Sequence, residues 1–297
     1  MTIDIKELLK AGGHFGHQKH KWNPKMAPFI FTERNGIHII NLEKTIEMIE
    51  EAGRFLKTIG QNGEDMLLVG TKRQSQEVVR QAAERAQVPY VNYRWLGGML
   101  TNFTTIVSSI SRLQKYNEML SEERRVLYTK KELISIAKEK AKLERNLSGI
   151  VTITKLPNAL LVIDPVHENI AVHEANKMGI PVVAIIDTNG DPDLIDYPIP
   201  ANDDGTRVIE LIVNELVDRY IEGRTLFKQK LQEEGQEHRE RGAHGDETRN
   251  VAGRKVKVKR ISTEGSAGGH EQKQDEQPVA KGEETLSHRE EEKGVRG

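Results

Sequence analysis

Cysteine is absent from this 297-residue chain, which excludes disulfides, thiolate metal sites and cysteine nucleophiles. Long hydrophobic runs are absent too, since a stretch such as Ile180–Ile186 is far too short to cross a bilayer. The N-terminus also lacks the charged-then-apolar pattern of a secretory signal. Together these absences predict a soluble, cytoplasmic protein that does not enter a membrane.

The C-terminal segment 229–297 contains no aromatic residue and consists largely of charged residues, Gly and Gln. It carries 14 Lys and Arg against 15 Asp and Glu. Such a composition buries too little apolar surface to offset the entropy lost on ordering, so we expect a disordered charged tail. The remaining body has 30 basic and 30 acidic residues (44 minus 14 and 45 minus 15), and is therefore neutral.

Short apolar runs alternate with helical patterns through the body of the chain. The runs are Met66–Gly70, Tyr90–Asn92, Ala159–Asp164, Pro181–Asp187 and Tyr197–Ile199. Runs that are continuously apolar and separated by helices predict a parallel sheet covered on both faces, an α/β fold with right-handed crossovers. We also predict a β-hairpin over residues 29–40, a helix over Leu42–Thr58 and a last helix over Gly205–Gly223.

Residues 103–147 interrupt this alternation with two long amphipathic patterns. The apolar positions are Phe103, Ile106, Ile110, Leu113 and Leu120 in the first pattern, and Leu133, Ile136, Leu143 and Leu147 in the second. Spacings of three and four pair helices side by side, with Asn117 and Lys140 as polar residues in the seam. We predict a projecting antiparallel coiled-coil hairpin whose first helix is about 27 Å long. The segments 1–102 and 148–228 are then one α/β globular domain.

The segment Arg94–Asn102 leads from a predicted strand into this hairpin. It lies where a parallel sheet presents its carboxyl ends, the usual position of ligands. Gly97 and Gly98 allow close approach of a partner, while Arg94 and Trp95 offer a planar cation and a stacking face. This combination predicts a surface that binds something large.

Charge is uneven along the neutral body. Between Lys6 and Arg34 there are six basic residues and two acidic ones, and between Thr105 and Asn146 there are ten and six. From Asp187 to Glu222 the balance reverses, with ten acidic residues against two basic ones. The basic regions suit phosphate and the acidic region suits a basic protein or a cation, although helix faces also alternate charge simply for solubility.

Several further motifs follow one another along the chain: His14–Gln18, Trp22–Met26, Ile37–Thr45, Gly70–Arg73, Arg94–Asn102, Gly179–Val182 and Asp187–Asn189. In this order they resemble the bacterial ribosomal protein S2 family of the small ribosomal subunit. The resemblance covers about Ile3–Phe227. It implies a flavodoxin-like three-layer α/β/α domain with a coiled-coil hairpin, and a non-enzymatic role without cofactor or small-molecule substrate. It also implies binding to 16S rRNA and neighbouring ribosomal proteins, including the large messenger-binding protein S1 in bacteria that have one.

Cations beside aromatic, glycine-rich or helix-start positions are the candidate RNA contacts. The candidates are Lys19, Lys21, Trp22, Lys25, Lys72, Arg73, Arg94, Trp95, Asn102, Arg112, Lys115, Lys130 and Lys131, with Arg124 and Arg125 at the tip of the hairpin. Each has a structural alternative. Trp22 could anchor a loop to the core, Arg94–Asn102 could plug the base of the hairpin, and several hairpin cations could merely be solvated.

Two other classes of function stay open. Acids at strand ends (Asp164, Asp187, Asp191 and Asp193) could hold Mg²⁺ or a nucleotide in a flavodoxin-like enzyme, although no complete phosphate loop, Rossmann fingerprint or nucleophile elbow is present. A non-ribosomal adaptor could bind only proteins through the acidic region. Independently, a structural cation such as zinc could be held by ligands drawn from His17, Asp187, Asp203 and Asp204.

Overall fold

A computed structural model of the chain describes residues 3–247. Its helices are α1 (Ile5–Ala11), α2 (Leu42–Gln61), α3 (Gln76–Ala86), α4 (Phe103–Met119), α5 (Lys130–Leu147), α6 (Asn169–Met178) and α7 (Thr206–Glu247). Its strands are β1 (Phe15–Gln18), β2 (Ile30–Arg34), β3 (Ile37–Ile40), β4 (Met66–Val69), β5 (Tyr90–Val91), β6 (Ala159–Ile163), β7 (Val182–Ile186) and β8 (Tyr197–Pro200). None of these helices combines the length and apolar character needed to cross a membrane.

The main sheet contains five parallel strands in the order β5-β4-β6-β7-β8. In chain order this is 2-1-3-4-5, the arrangement of flavodoxin-like doubly wound sheets. Helices cover both faces, so the predicted three-layer α/β/α fold is confirmed. The order reverses between β4 and β6, which makes the carboxyl ends of these two strands the topological switch point.

The strands bury alternate side chains into two separate cores because successive residues point to opposite faces. On one face Leu68, Leu161 and Ile185 pack against α2, α3 and α7. On the other face Leu67, Leu160 and Ala184 pack against α6 and the base of the hairpin. Both faces are therefore dry, which explains the continuously apolar strands.

The predicted hairpin over residues 29–40 forms as β2 and β3, and β1 adds a third antiparallel strand that the sequence analysis did not predict. The pattern of β1 is weak because its four residues are exposed or half-buried. The backbone N–H of His17 in β1 donates to Asp187 Oδ1 and Thr188 Oγ1 beyond β7. These bonds place the N-terminal sheet beside the carboxyl end of the main sheet.

The hairpin forms as α4 and α5, which pack against each other, and the predicted seam is present. Ile106, Ile110, Leu113 and Leu147 are buried, while Leu133, Ile136 and Leu143 are half-buried. We call α4, α5 and the connection between them the arm. A capping box at Thr129 and Glu132 begins α5, because each side chain satisfies the other residue's backbone N–H.

Helix α7 is longer than predicted. It continues past Gly223 and Lys228 to Glu247, so residues 229–247 of the expected disordered tail are helical. The reason is local, because Lys, Gln, Glu and Arg in this stretch are strong helix formers even without a core to cover. The rest of the predicted tail, 248–297, lies outside the described residues.

Helices α2 and α7 approach each other closely through glycines. A Cβ on Gly60 would lie 2.5 Å from the carbonyl oxygen of Tyr220, and one on Gly223 would overlap the carbonyl oxygen of Lys57. Tyr220, buried at this crossing, donates its hydroxyl to the Glu64 carbonyl at 3.0 Å. Side chains cannot relieve a clash between two backbones, so the crossing depends on hydrogen at these positions.

We expect Gly223→Ala to destabilise the protein, because its methyl group would force α7 away from α2. The expected loss is about 1–3 kcal/mol in the free energy of unfolding, net of the better helix propensity of alanine. Urea unfolding of the full chain measures it. Gly97→Ala is the control, because a Cβ there meets nothing within 4 Å. Equal stability of the two variants would contradict the close crossing.

Candidate nucleic-acid interface

The loop Arg94–Asn102 wraps around a single carboxylate, that of Glu174 on α6. Glu174 Oε1 accepts from Gly98 N at 2.7 Å and from Trp95 Nε1 at 3.3 Å. Its Oε2 accepts from Leu100 N at 2.9 Å, and from the N–H and hydroxyl of Thr101 at 3.1 and 3.2 Å. We call this arrangement the Glu174 nest. The carboxylate supplies hydrogen-bond acceptors for backbone N–H groups of the loop, which no helix or strand pairs.

Burial alone would raise the pKa of Glu174, but the hydrogen bonds from Leu100, Thr101 and Gly98 outweigh it and hold the pKa below its ordinary value. The carboxylate is therefore ionised at neutral pH. Because α4 begins directly after the loop at Phe103, the nest fixes where the arm leaves the globule.

Trp95, predicted as an RNA contact, lies in the core and presents almost no surface to a partner. Only 6% of the residue is exposed, and its ring packs in the core between the sheet and the arm. The indole N–H is used by Glu174. Glu174 itself was not among the predicted site residues. The available signal was a lone acidic residue on the apolar side of α6, between Ala171, Val172 and Ala175.

Lys72 occupies the switch point of the main sheet. Its ammonium lies 3.1 Å from Asp164 Oδ2, 2.7 Å from Asp203 Oδ1 and 2.6 Å from Asp204 Oδ1. Beside it, the N–H and hydroxyl of Thr71 donate to Glu168 Oε1 at 2.7 and 2.6 Å. We call Lys72, Asp164, Asp203 and Asp204 the Lys72 cluster.

One ammonium faces three carboxylates in this cluster, and the pKa values respond to that imbalance. Burial would lower the pKa of Lys72, but its hydrogen bonds to Asp203 and Asp204 raise it overall. Burial and the carboxylates of Asp164 and Asp187 raise the pKa of Asp203 to about 7, against the opposing bond from Lys72. The ammonium thus pairs with carboxylates of the chain, and an RNA phosphate would have to displace them to reach Lys72.

His17 Nδ1 lies 2.9 Å from Asp187 Oδ2, which is almost fully buried. The hydrogen bond to Asp187 raises the pKa of His17 above its ordinary 6.5. The ion pair therefore stabilises the fold fully below pH 6.5, and that contribution is lost as the pH rises through the raised pKa. It links the N-terminal sheet to the end of β7.

The expected metal ligands are not arranged as a ligand set. Among residues 3–234, whose side chains are described, no group of three or more His, Asp or Glu side chains is placed to hold a metal ion. His17 and Asp187 pair with each other, while Asp203 and Asp204 pair with Lys72. The Lys72 ammonium therefore lies where a metal ion bound by Asp203 and Asp204 would lie.

The N-terminal candidates lie on the surface. Lys19 and Lys25 are exposed and pair with surface carboxylates, Lys19 with Glu33 at 2.7 Å and Lys25 with Asp191 and Asp193 at 2.7 Å each. Lys21 is exposed without a described ion pair, and Trp22 is half-buried with its ring 5.0 Å from that of His38. Exposed ion pairs are weak, so phosphate can displace these carboxylates.

Arg73 and Arg94 are exposed, and neither forms an ion pair within the described part of the chain. Asn102, also exposed, accepts from the Thr105 hydroxyl at 2.9 Å through its side chain. On the arm the expected cations are exposed, and Arg124 pairs with Glu118 at 3.2 Å. The exposed arm candidates are Arg112, Lys115, Arg124, Arg125, Lys130 and Lys131.

Comparison of the sequence with known proteins identifies a family. The family model described as Ribosomal protein S2 matches residues 8–223. The small ribosomal subunit protein uS2 of Geotalea uraniireducens (strain Rf4) is 53% identical over 231 residues, which cover 78% of this chain and 90% of that protein. The match includes the loop, the arm and both sheets.

We expect Glu174→Gln to lower the free energy of unfolding by about 2–3 kcal/mol. The glutamine side-chain NH₂ group, a donor, would face backbone N–H groups of the loop, which are donors too. Urea unfolding of the full chain measures the loss, with Glu210→Gln, at an exposed glutamate, as the control. The stabilisation by a carboxylate of lowered pKa is present above its ordinary 4.5 and is lost as the pH falls through its folded value. The difference between wild type and variant should therefore shrink in acid, and a pH-independent difference would contradict the nest.

We expect Lys72→Met to destabilise the protein by about 2–3 kcal/mol, because it leaves buried carboxylates without their cation. The neighbouring Arg73→Gln should have little effect, since Arg73 is exposed. Thermal and urea unfolding measure both variants. Adding Asp203→Asn to Lys72→Met should restore part of the lost stability. If Lys72→Met is as stable as Arg73→Gln, the cluster is not structural.

Proposed function

Because the chain belongs to the ribosomal protein S2 family, we infer that it is a structural component of the small ribosomal subunit that binds ribosomal RNA and neighbouring ribosomal proteins. The observation that carries this function is the 53% identity to a small-subunit protein over 231 residues. We place the protein on cytoplasmic ribosomes, with 16S rRNA as its nucleic-acid partner.

The RNA-binding surface that we propose has three parts. All three consist of exposed or half-buried side chains that can reach phosphate without breaking a buried contact. They are the N-terminal set Lys19, Lys21, Trp22 and Lys25, the globule set Arg73, Arg94 and Asn102, and the arm set Arg112, Lys115, Lys130 and Lys131. Rigid elements carry most of these residues, so the surface is largely preformed.

We propose that the protein has no catalytic activity of its own. Doubly wound sheets bind ligands at the switch point, and here that crevice holds the Lys72 ammonium with Asp164, Asp203 and Asp204. A nucleotide or substrate would have to displace three ion pairs to enter. The cluster disfavours the flavodoxin-like enzyme as an alternative, and we propose no cofactor.

The division of the chain is also part of the proposal. The globular domain (1–102 and 148–228) would support the arm (103–147) and contact neighbouring proteins. The acidic stretch from Asp187 to Glu222 supports a protein-facing side, because several of its carboxylates, including Asp218 and Glu222, are exposed. We propose protein S1, in bacteria that have one, as a specific protein partner of this side.

Co-sedimentation tests the function. We expect the endogenous protein to travel with small ribosomal subunits through a sucrose gradient. It should leave them only when the small subunit itself is disassembled into RNA and proteins. A protein found only in the soluble fraction would contradict the ribosomal role and favour the adaptor.

The globule set is tested by salt dependence. For the full chain binding to a 16S rRNA transcript, Arg73→Gln/Arg94→Gln should lower the slope of log K against log salt by about 1.4–1.8, or about 0.7–0.9 per phosphate contact. Arg54→Gln/Lys177→Gln is the control, because it removes the same charge from exposed positions outside the proposed surface. Equal slopes for the two double variants would remove Arg73 and Arg94 from the interface.

A further inference from the structure

Four cations on α5 form a straight row that the RNA-binding set above omits, apart from its first member. They are Lys131, Lys138, Lys142 and Arg145, separated by seven, four and three residues. At 3.6 residues per turn these positions fall within about 60° of one another around the helix. At 1.5 Å per residue the row is about 21 Å long. We call it the α5 row.

The α5 row faces away from α4. The seam side chains Leu133, Ile136 and Leu143 point to the opposite side of α5, about half a turn from the row. All four cations are exposed, and none forms an ion pair with a described residue. Their charge is therefore not spent on holding the arm together.

The acidic residues of α5 lie off the row. Glu132 is used in the capping box at Thr129, and Glu144 lies 3.9 Å from Lys140 in the seam. Glu139 projects about a quarter turn from the row. The outer face of α5 is thus cationic along its length, although the whole helix contains six basic and three acidic residues.

Helix α4 offers a contrast within the same arm. Its outer face consists of Thr104, Ser108, Ser111, Lys115 and Glu118, all exposed. Only Lys115 adds a positive charge there, and Glu118 pairs with Arg124. The two outer faces of the arm therefore differ, and the continuous row of positive charges lies on α5.

At its lower end the α5 row meets the loop beside the Glu174 nest. The guanidinium of Arg145 lies 4.6 Å from the centre of the Tyr93 ring, next to the exposed Arg94. This cation–π contact ties the last member of the row to the globule. The positive surface therefore continues from the arm to the loop.

Resting on the ribosomal function above, we propose that the outer face of α5 lies along the phosphate backbone of double-helical RNA. A helix that docks on a protein presents several apolar anchors, and Ile134, 63% exposed, is the one large apolar side chain beside the row. Single-stranded RNA is bound by stacking on aromatic rings, and residues 130–147 contain none. The Tyr93 ring at the lower end of the row is already in contact with the Arg145 guanidinium. A rigid line of cations suits the closely spaced phosphates of a duplex.

Salt dependence of binding to a 16S rRNA transcript tests the row with Lys138→Gln/Lys142→Gln in the full chain. We expect the slope of log K against log salt to fall by about 1.4–1.8, from two lost phosphate contacts. Glutamine keeps the helix, which circular dichroism and the melting temperature verify. Arg54→Gln/Lys177→Gln is the matched control, and a slope equal to that of the control would overturn the proposal.

The kind of partner is tested separately. A photoreactive residue at position 138 should crosslink to RNA in intact small subunits, whereas one at position 108 on α4 should give much less RNA adduct. A short RNA duplex should also compete for binding better than a single strand of equal length. Crosslinks from position 138 to protein alone, or equal competition by the single strand, would overturn the assignment to duplex RNA.

These outcomes are distinct from a failure of the ribosomal role. If the wild-type protein does not co-sediment with small subunits, the proposed function fails. If it does co-sediment but the α5 variant binds RNA like the control, only the α5 row is wrong.

Discussion

The buried carboxylate of Glu174 is the interaction on which the arrangement of this protein depends. A desolvated carboxylate is costly unless its lone pairs are filled, and an irregular loop is costly unless its amides find acceptors. Here each requirement satisfies the other, through five hydrogen bonds from Trp95, Gly98, Leu100 and Thr101. Because α6 carries the carboxylate and the loop leads into α4, the nest transmits the orientation of the sheet to the arm. An arm intended to reach a distant partner needs such a fixed origin.

Polar groups of the chain itself also pair with one another at the switch point. In a doubly wound sheet this is where a ligand normally completes the structure. Here Lys72 with three aspartates, and Thr71 with Glu168, fill the polar space with groups from the chain itself. Side chains of the protein itself therefore occupy the crevice in which a ligand would lie. The RNA-binding surface that we propose lies elsewhere, on the N-terminal, globule and arm sets, in keeping with function belonging to sites rather than to folds.

Much of this architecture could be predicted from the sequence because it rests on local pattern. The apolar strands, the crossover helices and the seam of the arm each repeat a period that a single stretch of chain reveals. Glu174 and Lys72 could not be assigned in this way, because their partners lie 73–79 and 92–132 residues away. The burial of Trp95 could not be predicted for the same reason: a tryptophan beside an arginine and two glycines has the same local pattern whether it faces solvent or a buried carboxylate. The length of α7 was underestimated because helix propensity there acts without an apolar face.

The arm combines features set by local sequence pattern with contacts between residues distant in the chain. Its buried contacts are concentrated at the base, where Ile106, Ile110 and Leu147 enter the core. Farther out the seam residues are only half-buried, with Lys140 near the middle and Leu133 and Ile136 nearer the tip. At the tip Val126 and Leu127 are 79% and 77% exposed. The distal arm therefore gains little free energy from packing, and its direction is set almost entirely by the base. Placing the unpaired cations of α5 on the side opposite the seam costs the arm no packing, since that face buries nothing. Stability at the base and charge along the outer face are thus independent features, and a substitution can alter one while leaving the other intact.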